Sequence, residues 1–476
     1  MSFQAQKGRG IPGTYPKKTH TEARGRPHPQ SYEDRVVVIS RLWNDTQVHP
    51  MPLIPPVKGT RDFYPESQAR QRWLREKIRT VSESFGYQEY EAPYLERLDL
   101  YAARSGEELV RKQSFVFQDR GGEWVALRPE LTPSLARMVA TRRQEMPLPI
   151  RWWSFGPFWR YERPQRGRTR EFWQWNVDLL GVESPWADAE LAAIAAEFFR
   201  SAQLGPQAIR ILVNDRRLVD SQLRSLSIPD ENHLGVLHWI DRRDAMPPGR
   251  WREGAAEIGL SDRQIQDLQT LLEQTDAWRQ SDELVEFFEA VSAMGAQEYI
   301  AYSPTVVRGL DYYTGIVFEA RDAAGRMRAI LGGGRYDNLV ADVGGDPIAG
   351  VGFAMGDVVL GLLLDETHPA GDPLPISPTQ VLVLTFPDVS LAESVRLAAE
   401  LRRQGFRTEW YPEAERVPKQ LKYADRQKIP VAAILGPDEV GQGTVTLKDL
   451  RAGRQVTVAR AEAAREIASW LAGVPA

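Results

Sequence analysis

The sequence predicts an α+β protein: an antiparallel sheet with helices packed against it, a helical insertion, and a smaller C-terminal α/β domain. Three observations carry that expectation. Arg151 to Gly181 reads as two period-two strands joined by a turn, and residues from about 220 to 300 carry helical spacing without strand alternation. Beyond a proline-rich stretch, His368 to Thr379, strand and helix patterns alternate, which implies a small sheet with parallel pairs.

A chain of 476 residues can form two or three domains, each burying its own core. Hydrophobic residues make up 42%, yet no apolar run approaches the roughly twenty residues of a membrane helix. The absence of cysteine removes disulfides and thiolate metal sites and fits a reducing cytoplasm. A formal net charge of -4 argues against wholesale coating of nucleic acid, while leaving room for a local basic patch.

Residues 1–50 are rich in Gly, Pro, Arg, Lys and Gln and read as a disordered extension. A transit peptide is the other reading of this basic, acid-poor opening, although Pro and Gly interrupt any amphipathic helix. Trp73, Leu74, Ile78, Val81 and Phe85 then recur at helical spacing, so a helix is expected from Glu66 to Ser84, after Pro65 and ended by Gly86. Tyr87 to Glu91 reads as a strand. Phe115–Gln118 and Trp124–Leu127 read as a hairpin around Asp119-Arg120-Gly121-Gly122. It delivers Arg128-Pro129-Glu130-Leu131-Thr132-Pro133, where Glu130 either meets a cation that offsets its desolvation or caps the helix starting near Pro133.

In the central hairpin Phe158, Arg160 and Glu162 share one face of the first strand, and Phe172, Gln174, Asn176 and Asp178 share one face of the second. Trp159, Tyr161, Trp173, Trp175, Val177 and Leu179 fall on the other. The turn between them holds Arg166, Arg168 and Arg170, which no apolar core accepts, so it is either a solvated basic turn or an anion cradle. The polar face tips the balance toward the cradle, and a planar guanidinium such as that of Arg160 matches two phosphate oxygens at once.

Ala187 to Gln203 is an Ala-rich helix, and the helical insertion follows. In Val307 to Glu319, Arg308 beside a glycine turn can approach a phosphate, and Tyr312 with Tyr313 offers flat walls and hydroxyls for a ring. Gly332-Gly333-Gly334-Arg335-Tyr336-Asp337 and the run from Gly350 to Leu360 complete this half. In the C-terminal half, strands are expected at Val381–Phe386, Phe406–Tyr411, Val431–Leu435, Val445–Leu447 and Val456–Val458, with helices at Leu391–Arg403, Pro418–Lys428 and up to Leu471. Lys419, Lys422 and Arg426 form a basic stripe on the second of those helices, a feature that is usually just solvated.

Taken together, these segments resemble the histidyl-tRNA synthetases, within the class II aminoacyl-tRNA synthetases, over nearly all of the chain from Val57 onward. Arg160-Tyr161-Glu162-Arg163-Pro164-Gln165 with Gly167-Arg168 resembles motif 2; Val307 to Glu319 resembles the histidyl signature; Gly350 to Leu360 resembles motif 3. Lys419 to Asp425 is similar to the anticodon-binding domain, and Tyr87 to Pro93 to motif 1, the family's dimer interface. In that family Met51 stands where chains typically begin, shortly before Lys58-Gly59-Thr60-Arg61-Asp62.

The resemblance implies a catalytic domain over 51–370, an anticodon-binding domain over 378–476, and ATP-dependent ligation of L-histidine to tRNA(His) through histidyl-adenylate. It implies a cytoplasmic homodimer taking ATP as substrate with Mg²⁺ and holding no metal of its own. Arg160 and Arg308 are assigned to the α-phosphate, Glu162, Arg168 and Phe172 to ATP, and Phe172 to the adenine in particular. Glu130, Thr132, Gln174, Asp178, Tyr312, Tyr313 and Tyr336 are assigned to histidine, and Lys419, Lys422 and Arg426 to tRNA.

Two departures stand out. Asp178 replaces a frequent Glu, and motif 3 reads Val358-Val359 where the class has Glu-Arg. A lost charge-assisted contact of that kind costs on the order of 1.5–3 kcal/mol, so Arg168, Arg170 or another arginine must compensate or ATP binding is weakened. Val359 also leaves open a non-catalytic, synthetase-like regulatory subunit that binds histidine or a phosphoribosyltransferase. Arg308 within its full signature, and the C-terminal domain, speak against that reading. A generic nucleotide-binding enzyme accounts for neither the tyrosines nor the C-terminal domain.

Overall fold

The computed structural model describes residues 53–102, 113–243, 248–309, 312–367 and 377–472; the expected extension over 1–50 lies outside them. In chain order the strands of the larger part are β1 (Gln88–Glu89), β2 (Leu95–Arg97), β3 (Phe115–Gln118), β4 (Trp124–Leu127), β5 (Ile150–Trp159) and β6 (Glu171–Leu180). They continue as β7 (Ile209–Asp215), β8 (Ile300–Tyr302), β9 (Ile316–Asp322), β10 (Leu331–Arg335) and β11 (Gly350–Gly356). An eight-stranded sheet runs β1-β5-β6-β11-β10-β9-β7-β8, antiparallel except for the parallel pairs β1·β5 and β7·β8 at its edges. The predicted hairpin β3–β4 joins β2 in a separate three-stranded antiparallel sheet.

Alternation along β5 and β6 splits the large sheet into two faces. Trp153 pairs with Val177 and Phe155 with Trp175, while Trp152, Ser154 and Gly156 pair with Asp178, Asn176 and Gln174. The first set is buried against Phe198 and Phe199 of helix Pro185–Ser201 and Phe287 of helix Asp282–Ala293. Helix Pro185–Ser201 starts cleanly because Pro185 opens it and the Ser184 hydroxyl accepts the Trp186 N–H at 3.3 Å. Leu135, Val139, Tyr313, Val317 and Tyr336 form a second cluster on the opposite face.

Several elements differ from expectation. Arg160 and Glu162 lie past the end of β5: the Arg160 N–H still bonds the Arg170 carbonyl at 2.9 Å, but the Tyr161 N–H turns to Gln113 at 2.5 Å, so the ladder stops. Of Tyr87 to Glu91 only Gln88–Glu89 is strand, because β1 meets the edge of β5 and the chain then turns away. Helix Asp282–Ala293 packs in the main core, whereas Val219 to Leu272 share a core of their own around Trp239 and Trp251, stacked at 3.8 Å. The insertion with its own core is therefore narrower than the helical pattern from 220 to 300.

The C-terminal strands are β12 (Val381–Val383), β13 (Thr408–Trp410), β14 (Val431–Ile434), β15 (Thr444–Asp449) and β16 (Gln455–Ala459), in the order β13-β12-β14-β15-β16. β12 is parallel to both neighbours and the remaining pairs are antiparallel. β12 and β13 are shorter than the apolar runs that announce them. Past β12, the Thr385 N–H bonds the buried Gln420 side chain at 3.0 Å, which ties helix Val417–Arg426 to the strand end.

Candidate active site

The face of the large sheet turned away from helix Pro185–Ser201 carries the candidate site. A Cβ at Gly332 would strike the Arg308 guanidinium, and one at Gly350 would lie 2.6 Å from Tyr336 Cε2. Missing side chains in the floor thus let an arginine and a tyrosine lie flat across the strands.

At one end of this floor the groups are cationic. Arg308, at φ +55, donates from Nη1 to Glu319 Oε2 at 3.0 Å, and its buried Nε has no partner among the described residues. Burial works against its charge, but Tyr313, Glu319 and Asp241 outweigh that, and its pKa lies above the ordinary arginine value. The Arg216 side chain bonds the carbonyls of Val307 at 3.1 Å and Arg308 at 2.7 Å, which fixes the strained turn. Arg160 donates from Nε to the Pro129 carbonyl at 3.0 Å, and its guanidinium lies 5.3 Å from the centre of the Phe172 ring. Phe172 stacks on Phe158 at 6.0 Å. Buried Glu162 is ion-paired with Arg168.

Phe172 and Gly332 sit on the same face, since Asn176 pairs with Ala354 and Ala354 with Gly332. Their strands are separated by one other, roughly 10 Å across the sheet. Phe172 also lies four residues beyond Asn176 along β6, roughly 13 Å, so Arg160 and Arg308 stand over the same face at points separated both across and along the strands, with the trough between them.

Aromatic side chains dominate the other end. Tyr336 donates its hydroxyl to Asp178, and Tyr312 packs against Tyr313 at 4.9 Å and perpendicular to Tyr336 at 6.1 Å. Burial pushes the Asp178 carboxyl up to about 7, with the Tyr336 hydrogen bond opposing it. Thr132 lies beside Tyr312, and Glu130 is buried close enough to act on both Tyr312 and Tyr313. Half-buried Gln174 lies opposite Gly156 and Gly356. The Tyr90 hydroxyl, Ser154 Oγ and Asn176 Nδ2 are buried without a partner among the described residues, as befits a pocket shaped for a polar ligand.

Sequence reasoning missed several of these residues. Tyr90 stacks on Trp152 at 5.1 Å, and Arg128 is fully buried, bonded to the carbonyls of Pro157 and Ala92 at 3.0 Å each and to Glu91. Arg128 adjoins Pro129-Glu130 in sequence, but nothing local announces its burial. Glu319 was read only as the end of a motif. Lys419, Lys422 and Arg426 lie exposed along helix Val417–Arg426, and Lys419 also pairs with Glu415 at 2.5 Å. Val359 packs into the core margin, and its Cγ2 is 3.4 Å from where a Gly167 Cβ would stand, so it buttresses the basic turn. Among the described residues no group of three or more His, Asp and Glu side chains is arranged to hold a metal.

An antiparallel sheet with arginines over one face, beside a separate mixed α/β domain, has the architecture of class II aminoacyl-tRNA synthetases. A sequence profile described as "Histidyl-tRNA synthetase" matches residues 59–357, and one described as "Anticodon binding domain" matches 380–470. The chain is 35% identical to the histidine–tRNA ligase of Leptospira biflexa over 86% of its length and 96% of that protein. It is 37% identical to the ligase of Haloarcula marismortui over 84% of its length and 95% of that protein. The crystal structure of histidyl-tRNA synthetase from Nostoc sp. PCC 7120 superposes with a TM-score of 0.75 at 25% identity, covering 88% of this chain and 100% of that one. The chain belongs to the histidyl-tRNA synthetase family.

Proposed function

We propose that the protein joins L-histidine to tRNA(His) in two steps, with ATP as the activating substrate. The observation that carries the reading is the single trough flanked by Arg160 and Arg308 and ending in the Asp178, Tyr312 and Tyr336 pocket. Histidine binds with its ring among the tyrosines and its α-ammonium toward Glu130 and Thr132, with Gln174 and Asp178 completing the enclosure. Its carboxylate is already ionised at neutral pH and needs no base. A carboxylate oxygen attacks the α-phosphorus, and the bond to the bridging oxygen breaks as pyrophosphate leaves. Catalysis is alignment and charge neutralisation: Arg160 and Arg308 hold the α-phosphate, Arg168 the outer phosphates, and Phe172 the adenine with Glu162 nearby. In the second step the terminal ribose hydroxyl of tRNA attacks the carbonyl and AMP departs.

Magnesium, when bound, would neutralise phosphate charge and would be held chiefly by ATP oxygens, with Glu319, a carboxylate on the same face, able to join them. The catalytic part spans 51–370 and the anticodon-binding part 378–476, where Lys419, Lys422 and Arg426 meet the tRNA backbone. Dimerisation through the region of Tyr87 to Pro93 is supported by the adjoining exposed side chains of Tyr94, Leu95, Phe117 and Trp124. No described helix is long and apolar enough to cross a membrane, and the cysteine-free sequence suits the cytoplasm.

Exchange of labelled pyrophosphate into ATP tests the reading. Exchange that depends on histidine, and on no other amino acid, is expected. Pure, folded protein that binds histidine without exchange contradicts it and favours a regulatory role.

A further inference from the structure

With valine at 359, helix Asp357–Thr367 brings no cation to the trough at that position, and the neighbouring loops show where one comes from instead. The β5–β6 turn and the β9–β10 turn converge on this helix. Arg166 of the first donates to Glu366 at 2.9 Å, Arg326 of the second donates to the same carboxylate at 3.0 Å, and Gly167 abuts Val359 and Leu362. One glutamate therefore clasps both turns together.

Two further arginines meet above that clasp, Arg168 from the first turn and Arg328 from the second. Arg168 is ion-paired with Glu162. No carboxylate bonds Arg328 among the described residues; its charged neighbours are Arg168 and, farther along, Glu162. Partial desolvation, then the like charge of Arg168, depress its pKa. Arg170, the other arginine of the first turn, is committed elsewhere: its guanidinium lies 4.1 Å from the centre of the Tyr161 ring, and its Nε bonds the Glu162 carbonyl at 3.1 Å. Two neighbouring guanidiniums, only one of them ion-paired to Glu162, repel each other until an anion joins them.

The ends of the strands place that anion. β10 pairs no further back than Ile330, whose carbonyl accepts the Gly356 N–H at 3.2 Å, so Arg328 lies in the turn just beyond the end of β11, at the same end of the sheet as the β5–β6 turn that carries Arg168.

We propose that Arg328 pairs with Arg168 as a clamp on the β- and γ-phosphates of ATP, doing from the β9–β10 turn what an arginine at position 359 would do from the helix. The inference rests on the adenylate-forming reading above. The clasp through Glu366 gives the clamp its rigidity, since both turns are tied to one carboxylate.

Arg328→Ala, Arg328→Lys and the double variant Arg328→Ala with Val359→Arg test it by histidine-dependent exchange and by direct binding of ATP and AMP. Arg328→Ala is expected to raise KM for ATP by about tenfold to a hundredfold while KM for histidine and affinity for AMP stay within about twofold. Arg328→Lys should recover part of the loss, and Val359→Arg should recover part of it from the opposite side. Unchanged ATP affinity in Arg328→Ala, or equal losses for ATP and AMP, overturns the proposal. A wild-type protein that binds ATP but shows no exchange refutes the ligase reading, and the ATP-against-AMP comparison still decides the clamp.

Discussion

Arg335 and Arg308 are two arginines on opposite faces of the same sheet, and they show what separates a structural charge from a working one. Arg335, 4% exposed on the core face, spends its guanidinium on buried Asp188, bonding from Nε at 3.2 and 3.1 Å, and on the carbonyls of Val182 at 3.0 Å and Ser184 at 3.2 Å. Arg308, on the other face, has Nη1 on Glu319, and its buried Nε has no partner among the described residues. One charge is satisfied by the fold; the other waits for a ligand.

The sharpest way to break that contrast is to remove each arginine. Arg335→Ala strands Asp188 in the core and should cost about 3–5 kcal/mol of stability, seen as a large fall in denaturation midpoint. Arg308→Ala should lower the exchange rate by about 10²–10³-fold, with the midpoint falling much less than in Arg335→Ala, because buried Glu319 keeps Arg321 as a partner. Equal stability losses in the two variants would dissolve the distinction.

Gly332→Ala sharpens it further, since the added methyl collides with the Arg308 side chain and with no backbone atom in its three nearest contacts. Displacing the guanidinium by about 1 Å should slow exchange on the order of 10–100-fold, while melting shifts by less than about 4 °C.

Asp178 tests the aromatic end of the trough. Its folded pKa of about 7 lies above the ordinary value, so it contributes stability that is full below its unfolded pKa and is lost as pH rises through about 7. Between pH 5 and 7 the ligand-free protein should lose about 1 kcal/mol per pH unit from this group. Asp188, raised to about 6 by burial, adds to the same trend at its lower end. Asp178→Asn should flatten the profile between pH 5 and 7, and its KM for histidine should rise about tenfold through the lost charge-assisted contact. The smallest effect belongs to the C-terminal helix: Lys422→Ala should raise KM for tRNA by about two- to threefold and leave pyrophosphate exchange unchanged.

How much of this was legible in the sequence follows from the same two arginines. Each lies beside glycine and tyrosine, in Arg308-Gly309 near Tyr312 and in Gly334-Arg335-Tyr336. Period-two alternation gave the hairpin and its two faces because Trp175 and Val177 differ so sharply in chemistry from Gln174 and Asn176. No local pattern says that Arg335 has a buried aspartate 147 residues earlier while Arg308 points into a trough. The same limit hid Arg128 and Tyr90, whose surroundings come from distant strands. The early end of β5 escaped notice because a single backbone bond from Tyr161 to Gln113 diverts the ladder. Helix Asp282–Ala293 was grouped with the insertion because helical spacing reveals an apolar face without naming what covers it.

A crystal structure with a non-hydrolysable histidyl-adenylate analogue, such as its sulfamoyl form, tests the central claim most directly. The account predicts the sulfamoyl group bonded by both Arg160 and Arg308, with the imidazole against Asp178 and Tyr336. An analogue whose sulfamoyl group stands beyond about 4 Å from either guanidinium, or whose imidazole lies outside the tyrosine pocket, would contradict it.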